Sequence, residues 1–251
     1  MPLEVSNLNI GYKSKKSILI AENLNFSLSK GKLYGLIGIN GIGKSTLIKT
    51  LSGLLNPLGG EVLINEQNVF GLEVTKRAKL ISLVLTDHIN AGLATVKEIV
   101  AMGRFPHTNW QFSLAPADLD IIDKALLSVD MLDKKEVLFS QLSDGNKQKI
   151  MIAKALAQDT PLLILDEPTV HLDIKNRFII LQLLQKLAKE QHKTIIFSGH
   201  DLEYMLTFCD QLMLMTQDGL TIKSPDTFIE SGEIVKAFEL EKLHLQKINF
   251  L

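Results

Sequence analysis

Apolar and polar residues alternate at the start of the chain. LEVSNLNIGY, from Leu3, and ENLNFSLSKG, from Glu22, turn every second side chain to one face and predict strands. KLYGLIG, from Lys32, is apolar almost throughout and ends in glycine, the pattern of a buried strand entering a turn. From Lys44 the period changes: Leu47, Ile48, Leu51 and Leu54 fall on one side of a predicted helix, which NPLGG stops. GEVLINEQNV, from Gly60, reads as a hairpin, and AKLISLVLT, from Ala78, as a further apolar strand.

Between Val96 and Ala157 the spacing becomes helical, with Val96, Ile99 and Val100, then Ile121, Ile122, Ala125, Leu126 and Val129, at i, i+3, i+4. TPLLILDEP and KTIIFSGHD follow, two short apolar runs of the kind parallel strands show when buried on both faces. The helix NRFIILQLLQKLAKEQ separates them. The expected fold class is α/β in one domain: a core with a β-subdomain over residues 1–86 and 160–251, and an inserted helical subdomain over 87–159.

Composition narrows the function. With 251 residues, 46% of them hydrophobic and 22% charged, the chain can bury a full core. A formal charge of -1, with no dense Lys/Arg run interleaved with aromatics, argues against nucleic acid as a partner. The single cysteine, Cys209, rules out an internal disulfide and fits a reducing compartment. MPLEVSNLNIGYKSKK lacks a signal-peptide pattern and no apolar run is long enough to span a bilayer, so the chain is expected to be cytoplasmic, meeting a membrane only through a partner.

Three segments carry chemistry. GLIGINGIGKST holds Gly38-x-x-x-x-Gly43-Lys44-Ser45 between a predicted strand and helix, the phosphate-binding loop pattern. Its backbone from Gly38 through Ile39, Asn40, Gly41, Ile42 and Gly43 to Thr46 can wrap phosphates. Lys44 supplies positive charge and the Ser45 hydroxyl can ligate Mg²⁺. LLILDE ends an apolar strand in two carboxylates: Asp166 to hold Mg²⁺ through water, and Glu167 as general base for in-line attack on a γ-phosphate. His200, after the strand of IIFSGHD, would emerge on the same sheet edge and steady the attacking water. The other histidines, His88, His107, His171, His192 and His244, show no metal-ligand spacing.

Phosphate loop, LSDGNKQ, LLILDEPTVHLD and SGHD, in that order, resemble the nucleotide-binding subunit of an ATP-binding cassette (ABC) transporter. The resemblance implies a P-loop NTPase (RecA-like) core, an antiparallel N-terminal β-subdomain and an inserted helical subdomain. It also implies ATP with Mg²⁺ as ligands, ATP hydrolysis, and a head-to-tail pair of copies. By the same resemblance Tyr12 stacks on adenine, while Ser143 and Gly145 reach the γ-phosphate on the second copy. Leu172 and Asp173 match a segment directed at the opposing cassette. Two departures stand out: Thr86 occupies the place of a glutamine that touches Mg²⁺, and Asp144 replaces a glycine, where it is expected to point away and serve the helix cap.

ATVKEIVAMGRFPHT, from Ala94, resembles a segment of importers of iron-siderophore complexes, haem and vitamin B12. Its end predicts an exposed corner at Arg104, Phe105 and Pro106 that could receive a coupling helix of an integral membrane permease. The expected function is ATP hydrolysis driving iron-siderophore uptake, from a peripheral position on the cytoplasmic face of the inner membrane, with a substrate-binding protein as indirect partner. Haem or vitamin B12 import, and a soluble non-transport ABC ATPase, are the alternatives. A P-loop GTPase fits less well, because no guanine-selecting NKxD is present.

Overall fold

The computed structural model describes residues 3–14, 17–85, 92–108 and 113–238. The chain forms two compact units, Met1–Gly71 with Leu184–Leu251, and Leu72–Leu183.

In the first unit β1 (Leu3–Tyr12) pairs antiparallel with β2 (Ile18–Leu28). Its buried face shifts from odd positions, Leu3 and Val5, to even ones, Leu8 and Ile10. A register irregularity between Val5 and Leu8, with Asn7 at φ 49°, adds the residue that makes this change of phase possible. β3 (Leu33–Ile37) is buried at every position and leads into α1 (Lys44–Leu51). Leu47, Ile48 and Leu51 are fully buried, but Leu54 lies past the helix end and is 61% exposed. Gly53, at φ 74°, ends the helix earlier than the apolar spacing predicts. Its N–H donates to Thr50 O and that of Leu54 to Lys49 O, each at 2.9 Å, the paired bonds of a Schellman turn. β4 (Gly59–Ile64) and β5 (Gln67–Asn68) form the predicted hairpin, with Asn65 and Glu66 both at positive φ as a type I′ turn requires. The sheet order is β2-β1-β4-β5.

The second unit contains α2 (Val74–Arg77), β6 (Ile81–Val84), α3 (Val96–Ala101), α4 (Pro116–Ser128), α5 (Asp144–Ala157) and β7 (Leu162–Leu165). α3 opens with a capping box, in which Glu98 N–H donates to Thr95 Oγ1 and Thr95 N–H to Glu98 Oε2. Val96, Ile99 and Val100 of α3 and Ile122, Ala125 and Leu126 of α4 are buried, and both helices pack on α5. β6 and β7 run parallel, from Ile81 beside Leu162 to Val84 beside Leu165. α6 (Ile174–Glu190) starts in this unit and ends in the first.

The first unit resumes with β8 (Thr194–Ser198), α7 (Leu202–Phe208), β9 (Gln211–Thr216), β10 (Gly219–Lys223), α8 (Pro225–Ser231) and α9 (Glu233–Ala237). β9 and β8 flank β3, both parallel to it, and β10 closes the edge antiparallel to β9. Burial pushes the Cys209 thiol well above its ordinary range, so it packs as a small apolar group and not as a reactive one. Among the described residues no helix is long and apolar enough to cross a membrane.

Candidate functional site

The phosphate loop begins where β3 ends. Leu36 lies beside Ser198 across the parallel β3–β8 pair, and Gly199 N–H donates to Leu36 O at 3.4 Å. Gly38 and His200, each two residues further on, therefore leave the sheet at the same carboxyl edge, where ligands of open parallel sheets collect. Gly43 caps α1 at φ 111°, and a Cβ added there would lie 2.3 Å from Ile20 Cγ2, so conformation and space both demand glycine.

Lys44 is 6% exposed, and its Nζ donates to Gly38 O at 2.8 Å and Ile39 O at 3.2 Å. The ammonium thus folds back over the loop it belongs to, at the amino end of α1. Both of these acceptors are neutral carbonyls, whereas phosphate oxygens would give the ammonium stronger, charge-assisted bonds. Lys44→Ala should weaken ATP binding by about 10- to 100-fold, from the loss of charged hydrogen bonds; calorimetry giving the parent affinity would remove this lysine from the site. Asn40, Gly41, Ser45 and His200 are exposed, and Ile42 is half-buried. Thr46, buried, shares a 3.2 Å hydrogen bond with the hydroxyl of Tyr12, whose ring is 41% exposed. That bond ties the aromatic to the first turn of α1, a link that spacing in the sequence does not reveal.

In the second unit the carboxylates follow β7. Asp166 is buried and its N–H donates to Val84 O at 2.8 Å, extending the β6–β7 pair. Glu167, half-buried, has φ 48°, a left-handed conformation that is uncommon for a glutamate and costs on the order of 1–2 kcal/mol. Thr86 lies outside the described residues.

Ser143 takes the N-cap position of α5 but makes no side-chain cap bond. Asp144 is the first helical residue and does not cap it. Its exposed carboxylate lies 3.4 Å from Lys147 Nζ and favours the positive end of the helix. Gly145 is buried, and the place of a side chain there is taken by Asn176 of the same chain. Leu172, 7% exposed, is buried within its own chain, and Asp173 accepts the Asn176 N–H at 2.7 Å as the cap of α6.

The predicted corner at Arg104, Phe105 and Pro106 is a 3₁₀ turn, Met102–His107, and only part of it faces outward. Phe105 is 46% exposed, while Arg104 is 6% exposed. Arg104 Nε donates to Asp118 Oδ1 at 2.9 Å and an Arg104 Nη to Ala157 O at 2.7 Å; His107 Nε2 lies 2.9 Å from Gln158 O. The two basic side chains thus meet carbonyls at the carboxyl end of α5, where unpaired acceptors and the helix dipole favour them. Gly103 permits this approach, since a Cβ there would lie 2.2 Å from Lys154 O. Asp118 completes the arrangement by accepting Ala115 N–H at 2.8 Å. That N–H first, and Arg104 second, hold its carboxyl below the usual range. The sequence signals Asp118 as a helix-start residue after Pro116, but not its pairing with Arg104.

A model of the family described as ABC transporter matches residues 21–170. The chain belongs to the ABC transporter family. The iron(3+)-hydroxamate import ATP-binding protein FhuC of Bacillus subtilis is 40% identical over 222 residues, 88% of this chain and 81% of that protein. An ABC transporter described as of metal-chelate type, solved in an inward-facing conformation, superposes with TM-score 0.81 at 29% identity, over 95% of this chain and 89% of that one. A dimeric ATP-binding cassette in a post-hydrolysis state, bound to ADP and Pi, superposes with TM-score 0.75 at 25% identity, over 89% and 98%. The chain is a P-loop cassette ATPase that binds and hydrolyses ATP, and its resemblances lie in the importer branch.

Proposed function

We propose that the chain is the ATP-hydrolysing subunit that powers uptake of an iron-siderophore chelate, acting as a head-to-tail pair beneath permease subunits at the cytoplasmic face of the inner membrane. The cargo class rests on the 40% identity to an iron(3+)-hydroxamate import subunit, maintained over 88% of this chain. The dimeric cassette of similar fold supports the pair.

In this reading the loop from Gly38 to Thr46 holds the ATP phosphates, Lys44 leaves the loop carbonyls for the γ-phosphate, and Tyr12 lies against adenine. Glu167 takes the proton of the attacking water and His200 orients that water. Ser143 and Gly145 of the second copy close over the γ-phosphate, with the amino end of α5 directed at its charge. Ser45 and Asp166 are oxygen donors of the kind Mg²⁺ takes. Among the described residues no cluster of three or more His, Cys, Asp or Glu offers a protein cage, so nucleotide phosphates would complete its shell. The ion would neutralise charge building on those phosphates.

Of the corner at Arg104, Phe105 and Pro106, Phe105 at 46% exposed is the apolar anchor offered to the permease, while buried Arg104 ties the turn to Ala157 O. Co-expression should recover the chain with a polytopic membrane protein, and cells lacking the chain should lose uptake of labelled ferric hydroxamate. Retained ferric hydroxamate uptake with lost haem or cobalamin uptake would reassign the cargo; recovery without any membrane protein would refute the transporter role.

A further inference from the structure

A side chain at Gly145 would have to displace the amide of Asn176, within its own chain. A Cβ added to it would sit 2.6 Å from Cγ and Oδ1 of Asn176 and 3.0 Å from Nδ2, so one amide plane covers the position. The amide is held from its other side. Its Nδ2 donates to Asp173 Oδ2 at 3.1 Å, while the Asn176 N–H donates to Asp173 Oδ1 at 2.7 Å. Arg177 Nε adds a bond to Leu172 O at 3.1 Å, fixing the turn that carries Asp173. Asparagine suits the position for two reasons: its flat side chain allows close approach of α5, and its amide donates to a carboxylate that an aspartate would repel.

We propose that Asn176 is a positioning residue: oriented by Asp173, it sets where the first turn of α5, with Ser143 and Gly145, is presented to nucleotide on a second copy. This rests on the two-copy reading above. Asp173 then acts on the pair through its own chain, by holding the amide against which α5 is seated, and Leu172 through the carbonyl that Arg177 fixes.

The test uses Glu167→Gln as background, so that ATP-bound pairs accumulate, and compares Gly145→Ala, Asn176→Ala and the double variant. Gly145→Ala should lower the trapped pair by about tenfold with ATP affinity of the single chain unchanged, and Asn176→Ala in addition should restore most of the loss, as coupled neighbours do. Asn176→Asp keeps the volume, removes the donor to Asp173, and should also reduce the pair. A double variant as defective as Gly145→Ala, beside a parent that pairs, overturns the assignment of Asn176 alone. Recovery of melting temperature without recovery of the pair overturns it too, by reducing the amide to a space filler. A parent that stays single with ATP refutes the two-copy reading and any role of Asn176 toward a second chain.

Discussion

Glu167→Gln should lower ATP turnover by about 10²- to 10⁴-fold, the range spanned by loss of a general base, while ATP affinity stays within about twofold, since binding charge at the phosphates comes from Lys44. The substitution keeps size and one oxygen but cannot take a proton. The backbone should tolerate it: β7 is buried at all of its positions, Asp166 N–H is bonded to Val84 O, and Val170 N–H donates to Glu167 O at 3.2 Å, so the turn is fixed from both sides. The left-handed φ of 48° at Glu167 is strain retained at a strand end, a frequent mark of a working residue. Single-turnover phosphate release and size-exclusion with ATP read the two effects, and release at the parent rate would remove Glu167 as the base.

Arg104→Met should lower the melting temperature by about 10 °C. Breaking a buried ion pair costs ~3–5 kcal/mol because the other charge stays buried, and in a chain of this size each kcal/mol moves the midpoint by about 2–4 °C. Methionine keeps the apolar stem but takes the Arg104 donors from Asp118 Oδ1 and the Ala157 carbonyl, leaving the carboxylate with only the Ala115 N–H bond and no guanidinium charge beside it. The effect should depend on pH with a definite sign. The Asp118 carboxyl is held low in the folded chain, so its contribution is present above its unfolded value of about 3.9 and is lost as pH falls through the lower folded value. Asp118→Asn should therefore melt earlier at neutral pH and show a flatter decline below about pH 4. Calorimetric scans across that window check both, and an unchanged midpoint for Arg104→Met would show that the pair contributes nothing net.

The expectation that Arg104 lies exposed differs from the structure for a reason of sequence separation. A glycine and an arginine before a proline read as a surface corner when only neighbours in sequence are weighed. The partners that bury Arg104 stand 14 and 53 residues away, at Asp118 and Ala157. At Gly145 the structure adds a neighbour that spacing does not announce, the Asn176 amide 31 residues on. Leu54 shows the milder case: the apolar spacing continued while Gly53 had already ended the helix by its backbone.

The residues alone were enough for features whose physics acts over a few positions. The strand and helix on either side of the phosphate loop, the hairpin within GEVLINEQNV and the apolar strand that ends in Asp166 and Glu167 follow from period, turn chemistry and backbone freedom. Folding in three dimensions decided which side chains became surface and which became support. Arg104 went inside because the carboxyl end of α5 needed donors, Gly145 stayed bare because Asn176 packs against it, and Tyr12 was anchored by Thr46. Such pairings depend on elements meeting at long separation, where no local preference of the chain specifies the partner.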